Sequence, residues 1–102
     1  MAAGRDNAAS SPVRRIVITG ASSGLGRALA TELALRFPGS TMLLLARRAD
    51  RLAELAADLP QVQCVCETVD ITDHERLSSI CRRFVTEHGA PDIVIANAGI
   101  SV

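Results

Sequence analysis

Short apolar runs alternate with helix-like segments along this chain, and this alternation limits the possible folds more than any other feature. Four runs rich in β-branched or leucine residues predict strands, and the three segments between them place apolar residues at i, i+3 and i+4. The second run, Thr41–Ala46, is apolar without alternation, as expected for a strand covered on both faces. This order predicts an α/β fold, β-α-β-α-β-α-β, with a parallel sheet and right-handed crossovers. The predicted strands are 14–19, 41–46, 62–69 and 92–96, in the spatial order 3-2-1-4.

Apolar stripes and end signals define the three helices. The first is predicted from about 24 to 37 and the second from about 49 to 59, each followed by a proline. The third begins at a capping box of Thr72 and Glu75 and ends at His88. The stripes expected to face the core are Leu25, Ala28, Leu29 and Leu33 in the first helix, Leu52, Leu55, Ala56 and Leu59 in the second, and Leu77, Ile80, Cys81 and Phe84 in the third.

Length and charge restrict the classes of function. The 102 residues suffice for one domain, predicted at 13–102, behind a small, polar segment 1–12 that we expect to be a disordered tail. The formal net charge is +0, which argues against an electrostatic nucleic-acid or membrane partner. No apolar run approaches the ~18 residues of a membrane span, and no signal peptide is evident, so we expect a cytoplasmic protein.

The three cysteines are interpreted as packing residues. Their number is odd, and no His or Cys cluster accompanies them at metal-ligand spacing. We therefore expect Cys64, Cys66 and Cys81 to be buried, and we predict neither a disulfide framework nor a metal site.

A glycine-rich loop separates the first predicted strand from the first helix. Gly20 permits a tight turn, Gly24 lets a pyrophosphate approach the backbone, and Gly26 lets the helix pack close to the sheet. Amides at the helix start would face the phosphates, and Ser22 and Ser23 would add hydroxyl donors. The alternative is a turn that merely needs small residues, but the strand–loop–helix context favours a dinucleotide site.

The residues after the second strand indicate which dinucleotide this would be. An acidic residue about 20 positions beyond the loop marks NAD, but Ala46 stands there and Arg47 and Arg48 follow. A guanidinium can hold a 2′-phosphate through two parallel hydrogen bonds, so the sequence predicts NADP(H) over NAD(H). The alternative is that both arginines are solvated residues at the start of a helix.

Four segments together resemble the classical short-chain dehydrogenase/reductase family. They are the TGxxxGxG loop at 19–26, the ARR segment at 46–48, the Asp70-Ile71 pair, and the NAG segment at 97–99. The resemblance runs from about residue 14 to 102 but covers only the N-terminal part of that family's fold. It implies a Rossmann-type sheet flanked by helices.

The resemblance also implies roles for individual residues. Asp70 would contact the adenine edge, aided by the Ile71 backbone, and Asn97, Ala98 and Gly99 would line the cofactor near the nicotinamide-side ribose. Asp70 could instead be a turn residue, and Asn97 could tie neighbouring strands together. The predicted cofactor-binding set is Gly20, Ser22, Ser23, Gly24, Leu25, Gly26, Arg47, Arg48, Asp70, Ile71, Asn97, Ala98 and Gly99.

The implied activity is hydride transfer between NADPH and a carbonyl or alcohol substrate. In the family, a Tyr and a Lys in a YxxxK motif and a Ser act after the fifth strand, whereas this sequence has no Tyr and no Lys. We therefore assign no catalytic residue. We expect the chain to be a fragment of a longer enzyme, inactive alone and homo-oligomeric when complete.

Two other functions stay open. One is a non-catalytic nucleotide-binding or interaction module that docks a partner on an open apolar edge at 93–95. The other is an S-adenosylmethionine-binding Rossmann domain, which Ala46 and Arg47 disfavour because such sites use an acidic residue there.

Overall fold

The computed structural model describes residues 13–97, which form a parallel four-stranded sheet with helices on both faces. The sheet order β3-β2-β1-β4 and the parallel pairings confirm the predicted Rossmann-type α/β fold. The elements in chain order are β1 Arg15–Thr19, α1 Gly24–Arg36, β2 Thr41–Ala46, α2 Ala49–Ala57, β3 Gln63–Thr68, α3 His74–His88 and β4 Ile93–Ala96.

The strand β2 forms the centre of two apolar layers. Met42 and Leu44 face the side covered by α1 and α2, whereas Leu43 and Leu45 face α3, and all four are fully buried. Each buried leucine contributes about 1.5–3 kcal/mol relative to an exposed one. This two-sided burial explains why the strand carries no polar alternation.

The predicted apolar stripe of α1 is wrong at Leu25 and Ala28, which are exposed, but Leu33 packs against the core as expected, and the helix bounds are nearly right. Gly26, Ala30 and Ala34 are the buried residues of this helix, while Leu25 is 55% exposed. Small side chains allow α1 to approach the sheet closely, so the alanine line, rather than the leucine line, faces β1. The stripes of α2 and α3 are confirmed at their main positions, Leu52 and Leu55, and Ile80 and Phe84.

The cap of α3 differs from the predicted capping box. Asp73, rather than Thr72, is the N-cap, and its side chain accepts a hydrogen bond from the backbone N–H of Arg76. Both the backbone N–H and the hydroxyl of Thr72 donate instead to Asp70 Oδ1, at 2.9 and 2.8 Å. Thr72 therefore belongs to the turn after β3, and the helix starts one residue later than predicted.

The cysteines are less buried than predicted. Cys66 is exposed, and Cys64 and Cys81 are half-buried. Cys64 and Cys66 lie on β3, the outermost strand, which is covered less completely than the central strands. Burial raises the pKa of the Cys64 thiol to about 11. Within residues 13–97 no group of three or more potential ligand side chains could hold a metal ion. None of the described helices is both long and apolar enough to span a membrane.

The strand β4 forms one edge of the described sheet. It pairs with β1 alone among residues 13–97, and Val94 at its centre is 59% exposed. The apolar edge predicted at 93–95 is thus present in the described part of the chain, while Ile93 and Ile95 pack against the layer beneath α1 and α2.

Candidate functional site

A cleft of about 560 Å³ lies at the carboxyl ends of the strands. The parallel register aligns Thr19 of β1 with Leu45 of β2 and with Ala96 of β4, so the residues that follow these strands meet at one edge of the sheet. Ligands of open α/β sheets bind at this edge. The cleft is lined by Gly20, Ser22, Ser23, Ala46, Arg47, Arg48, Arg51, Val69, Asp70, Ile71, Thr72 and Asn97.

The glycine loop is held by hydrogen bonds that converge on one carbonyl. Gly20 has φ +65°, in the left-handed region that favours glycine. Its oxygen accepts from the backbone N–H of Ser23 at 3.1 Å, from the Ser23 hydroxyl at 2.8 Å and from Asn97 Nδ2 at 3.2 Å. The carbonyl oxygen is thus occupied by protein donors.

Ser23 and Asn97 both fix this loop. Ser23 is the N-cap of α1, and its hydroxyl oxygen accepts from the N–H of Gly26 at 3.1 Å and from Asn97 Nδ2 at 2.9 Å. Asn97 is only 6% exposed, so it links the end of β4 to the loop after β1. The Ser23 hydroxyl is therefore already bonded within the protein, whereas the Ser22 hydroxyl lines the cleft and bonds no other group in residues 13–97.

Gly24 and Gly26 lie in very different surroundings. A Cβ on Gly26 would clash with the Gly20 carbonyl oxygen and would lie 2.9 Å from Asn97 Nδ2. A Cβ on Gly24 would have no protein atom within 4 Å. The fold itself thus requires glycine at 26, whereas the space in front of Gly24 is open to a ligand.

Three backbone amides at the start of α1 are available to an anion. The N–H groups of Ser22, Gly24 and Leu25 donate to no acceptor in the described part of the chain. The first N–H groups of a helix lack intrahelical partners, and the helix dipole makes this end positive. Gly26 is not among these donors because its N–H bonds Ser23, so its contribution to the site is close packing.

The opposite wall of the cleft carries three arginines. Arg47 and Arg48 follow β2 directly, and Arg51 lies in the first turn of α2. Arg48 forms a bidentate pair with Asp50, Nε to Oδ1 at 3.2 Å and Nη2 to Oδ2 at 2.8 Å. This pair holds the pKa of Asp50 below its ordinary value.

Asp70 lies at the end of the cleft beyond β3. The backbone N–H and the hydroxyl of Thr72 hold the pKa of Asp70 below its ordinary value, and the charge of Arg47 adds to this effect. Both bonds from Thr72 reach Oδ1. Asp70 is therefore a turn residue and at the same time presents an ionised carboxylate to the cleft.

The structure brings together most of the predicted set. Eight of its members line the cleft: Gly20, Ser22, Ser23, Arg47, Arg48, Asp70, Ile71 and Asn97. Gly24, Leu25 and Gly26 form the first turn of α1 beside it, and Ala98 and Gly99 lie outside the described residues. The cleft also includes Ala46, Arg51, Val69 and Thr72, which the sequence analysis did not select for the site. For Arg51 the signal was available, since it stands four residues after Arg47 at the start of a predicted helix.

The fold and the cleft together define a dinucleotide-binding type of α/β protein. The chain belongs to the short chain dehydrogenase family, whose family profile matches residues 14–102. This confirms the resemblance that the four segments indicated.

Several known proteins are similar to this chain. An uncharacterized oxidoreductase of Mycobacterium tuberculosis is 43% identical over 91 residues, covering 85% of this chain and 35% of its own length. An NADPH-dependent pterin aldehyde reductase of Arabidopsis thaliana is 38% identical over 87 residues, covering 84% of this chain and 35% of its own length. The L-sorbose reductase of Gluconobacter frateurii, solved with NADPH and L-sorbose, superposes with a TM-score of 0.78 at 32% identity, covering 88% of this chain and 35% of its own. The chain thus spans about a third of the length of these relatives.

Proposed function

We propose that this chain is the NADP(H)-binding portion of an oxidoreductase that transfers hydride between NADPH and a carbonyl or alcohol substrate. The observation that carries the proposal is the pairing of two anion-binding features across one cleft. Free amides of the glycine loop lie on one side, and on the other side arginines directly follow Ala46, the position at which NAD-binding proteins have a carboxylate. One of the relatives described above is named as NADPH-dependent, and another was solved in complex with NADPH. Both support NADP(H) as the cofactor.

The residues of the cleft fit a dinucleotide diphosphate. The amides of Ser22, Gly24 and Leu25 would donate to its oxygens, and Gly24 would allow close approach because no side chain fills the space in front of it. The Gly20 carbonyl, an acceptor that would repel phosphate oxygens, is occupied by Ser23 and Asn97. The loop would thus offer donors to the anion.

The remaining residues fit the adenosine end. Arg47 would hold the 2′-phosphate through charge-assisted bonds, each contributing roughly 1.5–3 kcal/mol, or about ten- to a hundredfold in preference over NADH. Asp70 would accept from the adenine edge, with the turn at Thr72 fixing its carboxylate and the Ile71 backbone assisting. Asn97, Ala98 and Gly99 complete the proposed set, whereas the guanidinium of Arg48 is already bonded to both carboxylate oxygens of Asp50 and is given no contact to the dinucleotide.

The proposed reaction needs both a hydride and a proton. NADPH supplies the hydride when it is bound, and the residues of this chain hold and orient the dinucleotide. The proton that accompanies the hydride needs a separate donor. The Tyr and Lys that the resemblance implies for that task do not occur among the 102 residues.

Calorimetric titration of the chain tests this proposal. We expect NADPH to bind with at least tenfold higher affinity than NADH, and S-adenosylmethionine to show no binding. We expect the Arg47→Ala variant to lose most of the preference for NADPH while it binds NADH as before. Equal affinities of the unaltered chain for NADPH and NADH would refute the NADP(H) assignment, and binding of S-adenosylmethionine alone would favour the methyl-transfer class instead.

A further inference from the structure

The three arginines of the cleft differ in what they already bind. The guanidinium of Arg48 is engaged by both carboxylate oxygens of Asp50. Arg47 has no bonded partner in residues 13–97 and interacts with Asp70 only through its charge. The guanidinium of Arg51 has neither a hydrogen-bond nor an ion-pair partner in the same described range.

The position of Arg51 is electrostatically unfavourable unless an anion is nearby. It lies in the first turn of α2, where the helix dipole is positive, and it shares the wall of the cleft with two other cations. The only acidic residue of that turn, Asp50, is already paired with Arg48. The guanidinium groups of this wall that are bonded to no carboxylate within residues 13–97 are therefore those of Arg47 and Arg51.

On the basis of the proposed NADP(H) function, we propose that Arg47 and Arg51 are the two guanidinium groups that hold the 2′-phosphate, and that Arg48 is withheld from it by Asp50. This assigns cofactor selectivity to a residue outside the ARR segment. Two guanidinium groups suit a phosphate dianion because its three terminal oxygens offer acceptors to both.

A pair of small ligands isolates this subsite. Adenosine 2′,5′-bisphosphate carries the 2′-phosphate, and 5′-AMP lacks it, so the ratio of their affinities measures the 2′-phosphate contact alone. We expect Arg51→Ala and Arg51→Gln each to lower this ratio by about tenfold, because each removes one charge-assisted contact. The matched control is Arg82→Ala, which removes an exposed arginine that does not line the cleft and should leave the ratio unchanged.

The role of Arg48 is tested by a charge-neutral double variant. Replacing Arg48 and Asp50 together with alanine removes one charge of each sign, so it leaves the net charge of the wall unchanged. We expect this double variant to keep the ligand ratio within about twofold of the unaltered chain. Circular dichroism of every variant checks that the fold is retained. If Arg51→Ala does not fold, Arg51→Gln replaces it in the test, because glutamine keeps most of the aliphatic part of the side chain.

The outcomes separate this inference from the proposed function. If the ratio falls in the Arg51 variants and holds in the double variant, the assignment is supported. If the ratio falls in Arg47→Ala but not in the Arg51 variants, or if it falls in the double variant, the assignment is overturned while the NADP(H) site stands. If the unaltered chain binds the two ligands equally, both this inference and the proposed NADP(H) function are overturned.

Discussion

Replacing Gly26 with alanine should destabilise the chain, although alanine favours helices more than glycine does. The new Cβ would clash with the Gly20 carbonyl oxygen and would lie 2.9 Å from both the Gly20 carbonyl carbon and Asn97 Nδ2. Carbon atoms pack best at about 3.5–4.0 Å, so the loop would have to move by more than half an ångström. The obstructing atoms belong to backbone and to a buried side chain, which cannot swing aside.

The magnitude follows from two opposing contributions. Overpacking costs about 1–3 kcal/mol, and the rigid surroundings place this site near the upper value. The gain in helix propensity offsets about 1 kcal/mol of it, which leaves a loss of about 2 kcal/mol. In a domain of this size such a loss lowers the Tm by roughly 8–16 °C.

Gly24 provides the matched control, since it lies two residues earlier in the same turn. A Cβ at Gly24 meets no protein atom within 4 Å, so Gly24→Ala should keep or slightly raise the free energy of unfolding while it weakens NADPH binding. Urea denaturation followed by circular dichroism measures both variants. The packing argument is refuted if Gly26→Ala is as stable as the unaltered chain, or if both variants lose the same stability.

Three further predictions concern other parts of the chain. The backbone N–H groups of Arg14 and Arg15 donate to Asp92 and lower the pKa of its carboxyl group in the folded chain. The carboxylate therefore stabilises the fold above pH 3.8, and this contribution is lost as the pH falls through the lower pKa of the folded state. Asp92→Asn should flatten the dependence of the free energy of unfolding on pH in that acidic range. Asn97→Ala removes two hydrogen bonds to the glycine loop and should lower the free energy of unfolding by about 1–2 kcal/mol, and unchanged denaturant midpoints would contradict this. Cys66 should react first with a thiol reagent because it is the exposed one of the three cysteines, and peptide mapping that finds another cysteine modified first would disprove this order. Its rate should increase with pH into the alkaline range, because partial desolvation raises the pKa of the thiol and only the thiolate reacts.

The order of the elements could be predicted from the sequence because strands and helices differ clearly in pattern. The strand Thr41–Ala46 was predicted to the residue, since a purely apolar run followed by arginines has well-marked ends. The face of α1 could not be predicted, because leucines and alanines form competing stripes on that helix. Only the close approach of α1 to the glycine loop, which requires small residues, selects the alanine stripe.

The candidate site was predicted in outline but not in its bonding. The glycine loop, Arg47, Arg48 and Asp70 could be placed together because the carboxyl ends of parallel strands share one edge of the sheet. The pairing of Arg48 with Asp50 and of Thr72 with Asp70 depends on side-chain directions that spacing alone does not fix. Arg51, which lines the cleft from within α2, was missed although its spacing of four residues from Arg47 could have indicated it.

The link between Asn97 and Gly20 also has a kinetic consequence. The two residues are 77 positions apart, so their hydrogen bond closes nearly the whole described chain. The entropy of loop closure must be paid before contacts of such long range stabilise the chain, so we expect this contact to form after the local helices and turns. We therefore expect the glycine loop to reach its final geometry only when β4 has docked against β1, so hydrogen exchange at the loop amides would report the completion of folding as well as the binding of a ligand.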